Sequence, residues 1–214
     1  MNYPELERHY QILPESSTKG TSASEAKFLY QQVSASTLPM VFGNHTFNHG
    51  DANIGIDHSV VANFGTADPS EPRSAKGPLK EVLAKLQLPS GTVLGSRQMG
   101  RGASEKWSLA ANDAWILAGI RSCKDFYLAS PLIKTTFFSP TNQFSIRVTG
   151  RELCGLLLFG YKLVSRDTGA FAGFIPNRPQ RARNADLVAY SNFMDGKTWQ
   201  ELVIFFTEHG IYVG

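Results

Sequence analysis

Residues 106–164 constrain this chain more than any other stretch, because their apolar spacing allows one order of elements. From Trp107, apolar or small residues recur at 110, 111, 114, 115 and 118, the spacing of one helical face. Leu109, Ile116 and Ile120 add a second apolar face, which predicts a helix buried on most sides. Asn112 and Asp113 sit inside it, although both residue types favour caps and turns. Residues 125–131 read as a strand ended by Pro131. The alternation of Phe144, Ile146 and Val148 reads as another. Thr149 and Glu152 have the spacing of a capping box, opening a helix with Leu153, Leu156 and Leu157 on one side and Gly160 as its stop. A strand follows to Val164.

Trp107 to Trp115, with Asn112 and Asp113 between them, then Phe126 to Pro131, Arg151-Glu152-Leu153 and Gly160-Tyr161, form a pattern that resembles the C-terminal toxin regions of bacterial polymorphic toxins, the Rhs and contact-dependent types. The resemblance covers about a quarter of the chain, residues 106–164. It implies a bacterial secreted effector, and with it a cognate immunity protein or a chaperone as partner. It names no reaction and no catalytic residues. The usual setting of such regions has a large delivery domain in front, whereas this sequence opens on its own Met1.

The 214 residues suit a single domain, with two small ones as the alternative. A hydrophobic fraction of 42% with fourteen phenylalanines supplies a core, and a charged fraction of 18% argues against disorder. The formal net charge of +3 permits an anionic partner without demanding one. Cys123 and Cys154 give neither metal spacing nor a disulfide framework, which suits a reducing, cytosolic working environment. No apolar run approaches a membrane span. Residues 1–8 lack the pattern of a signal peptide, so an exported product would leave the cytoplasm for its target cell by another route.

Along the chain, residues 1–21 are expected to be loosely held, and residues 22–214 to form one domain. Ser22 and Glu25 have capping-box spacing before a helix with Ala26, Leu29, Tyr30 and Val33 on one face. Residues 38–42 and about 59–64 read as strands, and 43–57 as a polar, glycine-bearing segment. Residues 65–78 hold three prolines and form a long surface loop or an internal boundary. A helix starting at Pro78 carries Leu79, Val82, Leu83 and Leu86. Residues 91–94 read as a short strand, 165–184 show little periodicity, and 187–190 read as a strand. Thr198 and Glu201 have capping-box spacing before a last helix with Trp199, Leu202, Val203 and Phe206 buried, ending at Gly210. The expected fold is α+β, a mixed sheet with about five helices, with α/β as the alternative.

Four places have residues suited to chemistry. The first contains His45, His49 and Asp51, then Asp57 and His58, with three of the five histidines inside fourteen positions. Imidazoles titrate near neutrality, so paired histidines suit acid and base roles in phosphodiester cleavage. With an aspartate they would also suit a divalent metal, but no HExxH or Cys/His framework supports one, so no metal is assigned. The bland alternative is a polar loop satisfying its own backbone.

The second place is residues 95–102, where Arg97 and Arg101 stand among glycines ahead of the central helix, an arrangement suited to phosphate. It lacks a Walker ending and does not fit GxGxxG. The third is Arg178, Arg181 and Arg183, with Phe171 and Phe174 upstream, suited to nucleic acid, an acidic partner or a pyrophosphate, or else a solvated loop. The fourth is Asn112, Asp113, Ser130, Arg151 and Glu152, where structural hydrogen bonding is the favoured reading and Glu152 is assigned to its capping box. Cys154 reads as a small core residue and His209 as a complement to a helix dipole.

Taken together, these features point to a toxin-like effector acting on RNA or DNA as a histidine-dependent nuclease. His45, His49, His58 and Asp51 would be catalytic, with Arg97, Arg101, Arg178, Arg181 and Arg183 on substrate. One alternative is ADP-ribose transfer from NAD, although the chain has no late Glu-x-Glu and no convincing Ser-Thr-Ser strand. The other is a non-catalytic binding or inhibitor protein directed at a target-cell protein. The sequence assigns no cofactor.

Overall fold

The structure is a computed structural model that describes residues 3–35, 37, 39–49, 52–57, 60–61, 75–76, 108–128, 130, 132–140, 143–165 and 172–213. Its fold is α+β. In order, the elements are α1 (Tyr3–Ile12), α2 (Glu15–Thr18), α3 (Ala23–Ala35), β1 (Met40–Phe42), β2 (Asn44–His49), β3 (Ala52–Asp57), β4 (Val60–Val61), β5 (Ala75–Lys76) and α4 (Leu109–Arg121). There follow β6 (Phe126–Leu128), α5 (Lys134–Phe137), α6 (Val148–Leu158), β7 (Tyr161–Ser165), β8 (Ala172–Pro176), α7 (Pro179–Arg183), α8 (Leu187–Met194) and α9 (Trp199–Glu208). The described residues thus hold nine helices, against an expected five or so.

A five-stranded mixed sheet runs β4-β1-β6-β8-β7. Its one parallel pair sets Met40 opposite Phe126 and Phe42 opposite Leu128, and the other pairings are antiparallel. A separate antiparallel sheet runs β3-β2-β5. In it, residues 44–49 pair in register with 52–57, from Asn44 opposite Asp57 to His49 opposite Ala52. The histidine segment is therefore a β-hairpin where a polar loop was expected.

Helix α4 is the centre of the core. Every residue from Ala110 to Ile120 is buried, as its two apolar faces predict. Its N-cap is Ser108, whose hydroxyl accepts from the Ala111 amide. Helix α3 packs along it. The helix also lies close on the sheet at Gly119, where an added Cβ would stand 1.8 Å from Met40 Sδ and 2.7 Å from Phe126 Cζ. Phe42 meets Phe126 edge-on and Phe174 at a tilt, so aromatic contacts fill the space between β1, β6 and β8.

Several expectations are revised. Residues 3–12, placed in a loosely held segment, form α1, with Leu6 and His9 fully buried. Arg121 of α4 clasps that helix, donating to both oxygens of Glu5 at 3.1 and 2.7 Å and to the Ala185 carbonyl at 2.7 Å. Residues 144–148 are not a strand. Only Ile146 makes a bridge, to Phe138, because positive φ at Gln143 and Phe144 turns the chain back there.

Helix α6 begins at Val148 behind Arg147, with no side-chain cap, so Thr149 and Glu152 do not act as a capping box. The Arg147 amide donates instead to the Phe137 carbonyl at 2.8 Å, and that bond sets the entry of the helix. Residues 187–190 are helical, because Asp186 caps α8 by accepting from the Ala189 amide at 2.7 Å. The weakly periodic 165–184 stretch contains β8 and α7.

Other readings match what forms. Both remaining capping boxes are present: Ser22 with Glu25 at α3, and Thr198 with Glu201 at α9. Gly160, with φ of +87°, ends α6. The helix read from Pro78, the strand read at 91–94 and most of the 65–78 loop lie outside the described residues.

Candidate functional site

Two helices within residues 106–164 place opposite charges against each other in the interior. Asp113 is on α4 and completely buried; Arg151 is one turn into α6, with its side chain about 10% exposed. Arg151 donates from Nε to Asp113 Oδ1 and from Nη2 to Oδ2, both at 2.7 Å, a bidentate fork. His9, on α1, lies 3.2 Å through Nε2 from the same Oδ2, and its Nδ1 is 3.3 Å from the Ser191 hydroxyl on α8. One tautomer, with the proton on Nε2, satisfies both contacts: the ring donates to the carboxylate and accepts from Ser191. The Tyr190 hydroxyl donates to the Arg151 carbonyl, and the Tyr190 ring lies 4.8 Å from the guanidinium carbon. Groups from three other helices, α1, α4 and α8, thus surround this arginine of α6.

The electrostatics follow from that geometry. Burial alone would raise the Asp113 carboxyl pKa, but the Arg151 charge, the Arg151 hydrogen bonds and then His9 hold it below the usual carboxylate range. Burial alone would lower the Arg151 pKa, and Asp113 more than offsets this, so the guanidinium stays charged. Burial drives the Tyr190 phenol well above its ordinary value, so it acts as a hydroxyl donor. Burial likewise pushes the Cys154 thiol up, which fits a core residue rather than a nucleophile.

Arg151 also lines a cleft of about 260 Å³ with Ser16, Ser17, Leu109, Ile146, Arg147 and Val148. Arg147, half-buried at the start of α6, has its Nε buried with no hydrogen-bond partner among the described residues. Two arginines and two serines therefore line one concavity, at the positive end of an eleven-residue helix. Asp113 lies behind Arg151, with its charge already matched. The cleft offers hydrogen-bond donors to an anion, with the apolar side chains of Leu109, Ile146 and Val148 as the remaining wall.

Residues named from the sequence fall in several places. Asp113 and Arg151, singled out together there, do meet. Arg178, Arg181 and Arg183 are all exposed at α7, within six residues of one another. His45 and His49 lie on β2, which is described here by its backbone. Asp51, His58, Arg97 and Arg101 lie outside the described residues. Among the described residues no group of three or more His, Cys, Asp or Glu side chains is arranged to hold a metal. No described helix is long and apolar enough to cross a membrane.

Sequence reasoning missed His9, Ser16, Ser17, Arg147, Tyr190 and Ser191. Helix α1 had a readable signal in Pro4 and Glu5 in its first turn and Leu6 and Tyr10 four apart. Arg147 had none, since its place in the site depends on how residues 138–146 turn back. No protein-family model, no curated protein and no solved structure matches this chain.

Proposed function

We propose that this chain is a bacterial toxin-like effector that acts on nucleic acid and holds its phosphate in the Arg147–Arg151 cleft. The observation that carries the reading is the pair of arginines on one concavity, the inner one fixed in advance by Asp113, His9 and Tyr190. Fixing a guanidinium before the ligand arrives removes the entropy cost of ordering it on binding. The exposed arginines 178, 181 and 183 supply further phosphate contacts, which dominate affinity for a polyanion. In this reading His45, His49 and His58 with Asp51 remain the acid–base residues of a nuclease. The resemblance of residues 106–164 to polymorphic-toxin C-terminal regions supports the effector role and a cognate immunity protein as partner.

The cleft favours a single phosphate over a dinucleotide such as NAD. Its volume of about 260 Å³ falls below the roughly 300–1,000 Å³ of pockets that bury whole drug-sized ligands. Inducible expression in a bacterial cytoplasm and in yeast tests the proposal. Wild type should arrest growth with degraded RNA or DNA. Arg147→Gln and the triple His45→Ala, His49→Ala, His58→Ala variant should each lose that effect while staying folded. Arrest with intact nucleic acid would overturn the nuclease reading in favour of protein modification. No arrest in either host would favour a binding protein.

A further inference from the structure

We propose that the cleft takes a terminal phosphomonoester at the end of a nucleic-acid strand, in preference to an internal phosphodiester; this rests on the phosphate reading above. Three features carry it.

The first is charge. Two arginines, Arg147 and Arg151, line the cleft, and Asp113 is paired with Arg151 rather than lining it. A phosphomonoester carries about −1.5 to −2 at pH 7 and offers three terminal oxygens. A diester carries a single charge on two such oxygens. Two cations therefore match the monoester.

The second is the inventory of donors. Arg151 spends Nε and one Nη2 bond on Asp113, leaving the rest of its five-donor fork. Arg147 has no hydrogen-bond partner for its buried Nε among the described residues, and Ser16 and Ser17 also line the cleft. These residues come from two elements, the serines from α2 and the arginines from the N-cap and first turn of α6. Three oxygens pointing in different directions can use such a cup, whereas a diester turns two of its four oxygens into chain.

The third is shape. An internal diester needs room for the strand to enter and leave. A cleft of about 260 Å³, lined also by Leu109, Ile146 and Val148, has room for a phosphate and the sugar that carries it.

The test uses the full chain and an internally labelled single-stranded oligonucleotide, with divalent ions chelated. One sequence is prepared with a 5′-phosphate, with a 3′-phosphate, or with hydroxyls at both ends, and affinity is read by fluorescence anisotropy. One phosphorylated form should bind about tenfold more tightly than the hydroxyl form, the worth of one added charge-assisted hydrogen bond. Which form does so assigns the end recognised. Inorganic phosphate should compete the preference away.

Arg147→Gln should remove the preference, and Ser16→Ala should reduce it, each with an unchanged circular dichroism spectrum. Equal affinity for all three oligonucleotides would overturn the terminal-phosphate inference and leave the nucleic-acid reading standing. Failure of every oligonucleotide to bind would overturn both.

Discussion

Asp113→Asn is the sharpest perturbation of the buried network, because it changes charge with almost no change in shape. In the native protein two 2.7 Å bonds join Arg151 to the carboxylate, and His9 adds a third contact. The amide keeps one acceptor oxygen, so one arginine bond can survive. The other bond and the full charge attraction are lost, while Arg151 stays buried beneath Tyr190. Removing one partner of a buried pair costs about 3–5 kcal/mol, and the one-tenth exposure of Arg151 places this case near the lower end. That is a large share of a typical stability of about 5–15 kcal/mol. For a chain of this size it lowers the melting temperature by roughly 6–20 °C.

Urea unfolding followed by circular dichroism and by tryptophan emission, which includes the fully buried Trp115, reads the change. The double variant Asp113→Leu with Arg151→Met removes both charges together, and it should be more stable than the sum of the two single losses predicts. A single-variant loss below about 1 kcal/mol would refute the reasoning, as would strictly additive losses, because a buried pair of this geometry has to be coupled.

Three further predictions concern the same framework. The Asp113 carboxyl titrates below its unfolded value, so its stabilisation is complete above that value, near 3.9, and falls away as pH drops through it. The urea midpoint of wild type should therefore decline between about pH 5 and pH 2 more steeply than that of Asp113→Asn. Gly150→Ala would put a Cβ 2.5 Å from the Phe137 carbonyl oxygen and 2.9 Å from Ile146, so it should cost about 1–3 kcal/mol and weaken phosphate binding by shifting the start of α6, read by thermal melts and phosphate titration. Thr198→Ala removes the capping box of α9 and should cost about 1 kcal/mol in urea unfolding without altering phosphate binding.

How far the sequence could be read depended on the range of the interactions involved. Helix α4 was legible because its burial is written in its own apolar spacing, and α3 and α9 because their capping boxes bond within four residues. The same signature misled at Thr149, where the start of α6 is fixed by a bond from Arg147 to Phe137, outside the motif. At 187–190 a β-like apolar run is helical because the preceding Asp186 caps it, a signal present in the sequence but outweighed there. The candidate site was half visible. Asp113 and Arg151 stood out as polar residues on apolar helices, but the fork between them closes over 38 residues and the His9 contact over 104, distances on which local periodicity carries no information.

The most direct test of the nucleic-acid proposal is the affinity of the full chain for a terminally phosphorylated single-stranded oligonucleotide, measured across a salt series for wild type and Arg147→Gln. The proposal predicts weaker binding by the variant and a log–log salt slope shallower by about 0.7, the value for one lost phosphate contact on a single strand. Identical affinities and slopes for the two proteins would contradict it.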